Sequence, residues 1–166
     1  MTISIPTFIY LGTGAEHDVI GVPFQPEIVW AVGPDAADAT ALTHIGHPAN
    51  DSATFQGAGA ITTDVFIALN IDGFRVGAVV GPGFDDSEYV NENGKTYHSI
   101  CFRGSSMAVG NYTGDGTASL AITGLGIAPA YVVVFGDYLP SPVPIHRHQN
   151  MIAGQSAFLN AGASAI

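Results

Sequence analysis

An all-β chain folded as an antiparallel, jelly-roll-like β-sandwich is what three features of this sequence predict. Its 21 glycines and 10 prolines are spread through all 166 residues. They punctuate short runs of Val, Ile, Tyr, Phe and Thr, the pattern of many short strands joined by turns. Within several of those runs apolar residues recur at every second position, the period of a strand. Finally, the stretch Thr7–Gly33 is repeated, with the same landmarks in the same order, at Gly110–Gly136.

The repeat sets the organisation of the whole chain, a single body over residues 1–166. Tyr10, Gly12 and Gly14 match Tyr112, Gly114 and Gly116 at an offset of 102. After one inserted residue, Gly21, Phe24, Pro26 and Gly33 match Gly124, Ile127, Pro129 and Gly136 at an offset of 103. In each copy β-branched or aromatic residues follow the proline. These runs, EIVWAV and AYVVVF, are apolar on both faces, so both are expected to be central strands covered on both sides. Pro26 and Pro129 stand at their starts, where a missing donor is tolerated.

After the first copy, residues 33–41 are small and polar and read as a loop; residues 137–144 hold three prolines and form a stiffer equivalent. SATFQGAGAI, residues 52–61, is echoed by SAFLNAGASAI, residues 156–166. The first unit then continues through Val65, Ile67, Leu69 and Ile71, which alternate as one strand face, to a turn at Asp72-Gly73 and a strand over residues 74–79. A looser loop follows, and Asn93-Gly94 makes a turn before the strand TYHSICF. Residues 7–103 are thus a full unit and residues 110–166 a half unit. Either the two copies complete one sandwich together, or a neighbouring chain completes the open half. Exposed strand edges favour pairing, so the second arrangement predicts a closed homo-oligomer, with a trimer or hexamer favoured.

At YTGDGTASLAITGLGIAPAYVVV and at IDGFRVGAVV followed by VNENGKTYHSICF, the chain resembles a repeat found in structural proteins of tailed bacteriophages. Gly110, Tyr112, Thr113, Gly114, Gly116, Thr117, Gly126 and Pro129 match the first part of that pattern. Asp72, Gly73, Phe74, Val76, Gly77, Asn91, Gly94 and Tyr97 match the second. Ile127-Ala128 departs from the usual Phe and polar residue, which the first copy keeps as Phe24-Gln25. The resemblance implies a virion component made in the host cytoplasm, such as a capsid decoration or tail protein, with capsid or tail proteins as partners. It supplies no site residues.

Composition narrows the alternatives. The formal net charge is −10, and Lys95, Arg75, Arg103 and Arg147 are the only Lys or Arg residues. No basic stripe is available for phosphates, so nucleic acid is not an expected partner. Only 11% of residues are charged, too few to cover a lone soluble monomer, which points to surface buried against other subunits. No stretch reaches the ~20 apolar residues of a membrane span, and MTISIPTFIYLG lacks the positive start of a cleaved signal. The single cysteine, Cys101, is read as a small buried residue.

Several constellations carry residue types suited to chemistry, and none assembles a catalytic, cofactor or metal site. YTGDGT lacks the lysine of a phosphate loop and reads as a glycine turn. His44 with His47, and His146 with His148, have spacing that could bring imidazoles onto one zinc ion, but two histidines are short of a site. Asp85, Asp86 and Glu88, and more distantly Asp115 and Asp137, lack the alternating spacing of a calcium loop. Ser99, Ser105 or Ser106 with His98 suggests a nucleophile and base, yet His98 and Ser99 fall on opposite faces of a strand. Tyr89 and Tyr138 are the aromatic candidates for a sugar platform, since Trp30 lies within a core strand. No enzyme activity is expected.

Overall fold

Strand β10, Thr96–Gly104, is the longest element, and other strands pair along both of its edges. In the computed structural model, which describes residues 3–34, 41–47, 51–54, 61–79, 88–136 and 144–158, thirteen strands and one short helix are formed. They are β1 Ile3–Ser4, β2 Thr7–Leu11, β3 His17–Ile20, β4 Ile28–Val32, β5 Ala41–His44, β6 Asp51–Thr54, β7 Ile61–Thr63, β8 Phe66–Asn70, β9 Gly73–Val76, α1 Glu88–Asn91, β10, β11 Tyr131–Val134, β12 Ile145–His148 and β13 Ala157–Phe158. All pairings are antiparallel, and the chain is an all-β sandwich as its composition predicts. Among the described residues no helix is long and apolar enough to cross a membrane.

The larger sheet runs β1-β10-β4-β5-β6-β7, with β2 beside β1 on the same edge of β10. Pro6 separates β1 from β2, because it has no N–H to give to a ladder; its carbonyl still accepts from the Cys101 N–H at 3.1 Å. Along β10 the residues Tyr97, Ser99 and Cys101 are buried while Thr96, His98 and Arg103 are exposed, the period of two that one covered face requires. Cys101 has the inert environment expected of it: burial pushes its thiol up to about 12. In β4, Val29 and Ala31 are buried opposite Cys101 and Ser99. Its other face carries Trp30, which meets Phe102 edge-on at 5.7 Å, and Val32, which is exposed. The expected central position of EIVWAV is therefore observed, with its outer face only partly covered.

A three-stranded sheet, β3-β9-β8, covers the inner face. The core between the two sheets joins Tyr10, Val29, Tyr97 and Cys101 to Val19, Val65, Phe66, Phe74 and Val76. Tyr10 stacks on Tyr97 at 5.4 Å and meets the edge of Phe74 at 5.7 Å. Its hydroxyl donates to the Val90 carbonyl at 2.8 Å, which satisfies a polar group that burial would otherwise penalise. On the outer face of the small sheet, Arg75 and Asp18 form a bidentate pair at 2.8 and 2.9 Å. That guanidinium holds the Asp18 carboxyl below its ordinary range.

Two details differ from the sequence-based expectation. The face Val65, Ile67, Leu69, Ile71 does not point uniformly inward: Val65 and Phe66 are both buried and Ile71 is exposed. The register of β8 shifts between Phe66 and Ala68, and such a bulge changes which residues face the core. The hairpin turn lies at Ile71-Asp72, so that Gly73 is already in β9. The reason for glycine there is close approach: a Cβ on Gly73 would lie 1.9 Å from the Val19 carbonyl oxygen, and one on Gly77 would lie 1.8 Å from that of Asp64.

Candidate interaction surface

The C-terminal sheet, β11-β12-β13, repeats the pairing of β4, β5 and β6. Ile28 to Ala31 face His44 to Ala41 residue by residue; at offsets of 103 and 104, Tyr131 to Val134 face His148 to Ile145. The pairs Ala41–Thr54 and Leu42–Ala53 are matched by Ile145–Phe158 and His146–Ala157. The turn after the second strand is also shared. The Gly46 N–H donates to His44 Nδ1 at 3.0 Å and the Asn150 N–H to His148 Nδ1 at 3.2 Å. The His47 N–H bonds the His44 carbonyl as the Met151 N–H bonds that of His148, at 2.9 and 3.0 Å.

The likeness extends upstream through the glycines but not through the strands. Gly14 and Gly116 have φ of 73° and 75°, and Gly21 and Gly124 have φ of 102° and 81°, a region that side chains disfavour. In the first unit these glycines flank β2 and β3. In the second, residues 110–130 form no strand and almost all are exposed. Asp115 caps its own turn, accepting from the Thr117 N–H at 2.9 Å and from the Thr117 hydroxyl at 2.6 Å, and these bonds lower its carboxyl below the ordinary range. Asn111 Nδ2 donates to the Gly46 carbonyl, which brings the start of this stretch beside the β5–β6 turn.

Apolar residues on this segment and sheet stand in solvent. Tyr10, Val19, Val22 and Val29 are between 0% and 9% exposed; Tyr112, Ile122, Leu125 and Val132, at the repeat-matched positions, are between 38% and 52% exposed. AYVVVF is thus not the covered central strand its composition predicts. Among the described residues β11 is the terminal strand of a three-stranded sheet, and Tyr131 and Val132 are exposed. An uncharged edge of this kind is open to strand addition.

The residues singled out for chemistry do not converge. His44 and His47 are close, with ring centroids 3.7 Å apart, while His146 packs against Tyr131 at 5.5 Å. Among the described residues no three His, Cys, Asp or Glu side chains are grouped to hold a metal ion. Ser99 is buried, with its hydroxyl 3.5 Å from the Phe8 carbonyl, and His98 is exposed on the other face. Ser105 is exposed and Ser106 half-buried just beyond β10. Asp85, Asp86, Asp137 and Tyr138 lie outside the described residues, as do the side chains of Glu88 and Tyr89. Sequence reasoning passed over Asn91 as a structural residue and β11 as an open edge; the absence of any charge in YVVV was the available signal for the second.

The histidine turn carries a pH expectation. His44 is pushed down to about 4, first by burial and then by its neighbour His47. Between that value and the ordinary histidine value of about 6.5, the unfolded chain holds a proton that the folded chain excludes. Stability therefore falls as pH drops through this window. Lowering the pH from 7 to 4.5 is expected to cost about 1–2 kcal/mol from this group, after allowance for the partly exposed ring. In urea titrations across that range His44→Asn, whose amide oxygen can still accept from the Gly46 N–H, should show a flatter profile; an unchanged slope would contradict the assignment.

A family model described as Domain of unknown function (DUF7483) matches residues 4–165. No curated protein and no solved structure matches the chain.

Proposed function

We propose, for a chain that belongs to the DUF7483 family across residues 4–165, that it is a structural component of a tailed-bacteriophage particle. In this reading it decorates or cements the head surface as a closed homo-oligomer, a trimer or hexamer, and performs no reaction. The observation that carries the assembly half of the reading is the exposed apolar surface. Ile9 and Leu11 on β2, Ile20 on β3, Ile71 in the β8–β9 turn and Ile152 beyond β12 are all exposed. In a chain with so few charges, a surface of this kind is best explained by burial against other protein. The phage half rests on the motifs Tyr112 to Gly116 and Asp72 to Gly77, which resemble the structural repeat of such particles.

Native mass measurement at micromolar concentration, together with peptide mass spectrometry of gradient-purified particles, tests both halves. The expected result is a discrete trimer or hexamer and enrichment in the particle fraction. A monomer that is absent from particles would overturn the reading. Presence in tails and absence from heads would move it to the tail.

A further inference from the structure

The first unit is a template for what the second unit lacks. Tyr10 is covered by Phe74, Tyr97 and the Val90 carbonyl. Val19 pairs with Phe74, Val29 pairs with Cys101, and the N–H groups of Gly21 and Val22 both donate to the Asp72 carbonyl at 3.0 Å. Every one of these partners comes from residues 72–101. The second unit keeps Tyr112, Ile122, Leu125, Val132 and the glycines of the same turns, but the 166 residues carry the partner segment once. Its Phe74, Val90, Tyr97 and Cys101 are already buried in the first unit.

We infer that the described C-terminal part, residues 110–136 and 144–158, is an acceptor for a further β segment of the type formed by residues 62–104. Such a segment consists of a tight hairpin bearing a buried aromatic residue, then a long strand that adds antiparallel to the edge of β11 that no described residue pairs. The pairing follows from the shared register. In the first unit Cys101 and Ser99 of β10 face Val29 and Ala31 of β4; the incoming strand sets small buried residues opposite Val132 and Val134. Its hairpin covers Tyr112, Ile122 and Leu125, and residues 110–124 become two strands once they have neighbours to bond. The occupant is not a second copy of these 166 residues, because each copy buries its own segment in its own first unit. The inference stands independently of the particle assignment.

The test extends the full chain by a second copy of its own residues 62–104, joined after Ile166, and measures amide hydrogen exchange by residue. In the extended protein, amides over residues 111–134 are expected to exchange at least about 10-fold more slowly than in the unextended chain. Val132→Asp in the extended protein is expected to abolish that gain while leaving protection of β4 and β10 intact. Unchanged exchange over residues 111–134 with an intact first unit would overturn the inference, as would protection that survives Val132→Asp. Concentration-dependent protection of the same amides in the unextended chain would also overturn it, by showing that a second copy covers the face. That last outcome would leave the homo-oligomer reading standing.

Discussion

Phe74→Ala is expected to lower the stability of the first unit by about 3–5 kcal/mol, the range for removing a buried aromatic ring without collapse of the cavity. Phe74 is fully buried in β9. It faces Val19 on β3 and Leu69 on β8, and meets the rings of Tyr10 and Phe66 at 5.7 Å each. It is therefore a central one of the side chains through which the small sheet contacts the large one. Val65, Val76 and Tyr97, which share its core, are themselves buried, and Val76 and Tyr97 are held in strand pairings, so they are poorly placed to refill the space. Because domains are stable by only about 5–15 kcal/mol, the substitution should bring the chain close to its unfolding midpoint. Urea unfolding followed by tryptophan fluorescence reads this directly, with Trp30 on β4 as the reporter. A loss below about 1 kcal/mol would mean that the two sheets are not held together through this ring.

Asn91→Leu should cost about 2–4 kcal/mol: it keeps the number and branching of side-chain heavy atoms but removes every polar group and adds bulk at a buried site. Asn91 is fully buried at the end of α1. Its Oδ1 accepts from the Thr13 N–H at 3.0 Å, and its Nδ2 donates to the carbonyls of Ala15, at 2.9 Å, and Gly77. The side chain thus ties the β2–β3 loop to the end of β9, and the Asn91 carbonyl adds a bond from the Gly14 N–H at 2.9 Å. Leucine would leave one donor and two acceptors without these partners, each costing about 1–3 kcal/mol when buried, reduced where water can enter. Asn91→Asp is the sharper variant. It keeps the acceptor for Thr13 but sets a carboxylate against two carbonyl oxygens, so at neutral pH it should be the more damaging of the two. Thermal unfolding of both variants decides the ranking. Exchange protection of β11–β13 should be unaffected in each, since that sheet shares no strand pairing with the network.

Much of the first unit was legible in the sequence because its signals are local. TYHSICF alternates and forms β10; Asn93-Gly94 forms the turn before it, with Gly94 at φ 82°. EIVWAV is a central strand, and the doubled glycine landmarks mark turns of matching φ. Cys101 is buried, as its setting predicts. What failed did so for non-local reasons. The alternation places Ile71 on one strand face with Val65, Ile67 and Leu69, and a regular alternation cannot reveal the register shift between Phe66 and Ala68. The motif Asp72-Gly73-Phe74 was read as a turn glycine, whereas Gly73 is required by the carbonyl of Val19 on another strand. Asn91 falls in the matched motif with Gly94, but nothing local shows the network it makes, since its three partners lie 14, 76 and 78 residues away.

The sequence by itself determined the β character, most of the turn positions and the correspondence between residues 7–33 and 110–136, because propensity, glycine conformation and repetition are written residue by residue. Only the tertiary structure decided that the opening part of the first copy forms strands and that of the second does not. A strand is stable through the neighbour that takes up its N–H and C=O groups. Residues 7–20 find β10 and β9, whereas residues 110–123 carry the same kind of pattern and find no such neighbour among the described residues. Tyr10 is accordingly a core residue and Tyr112 a surface one.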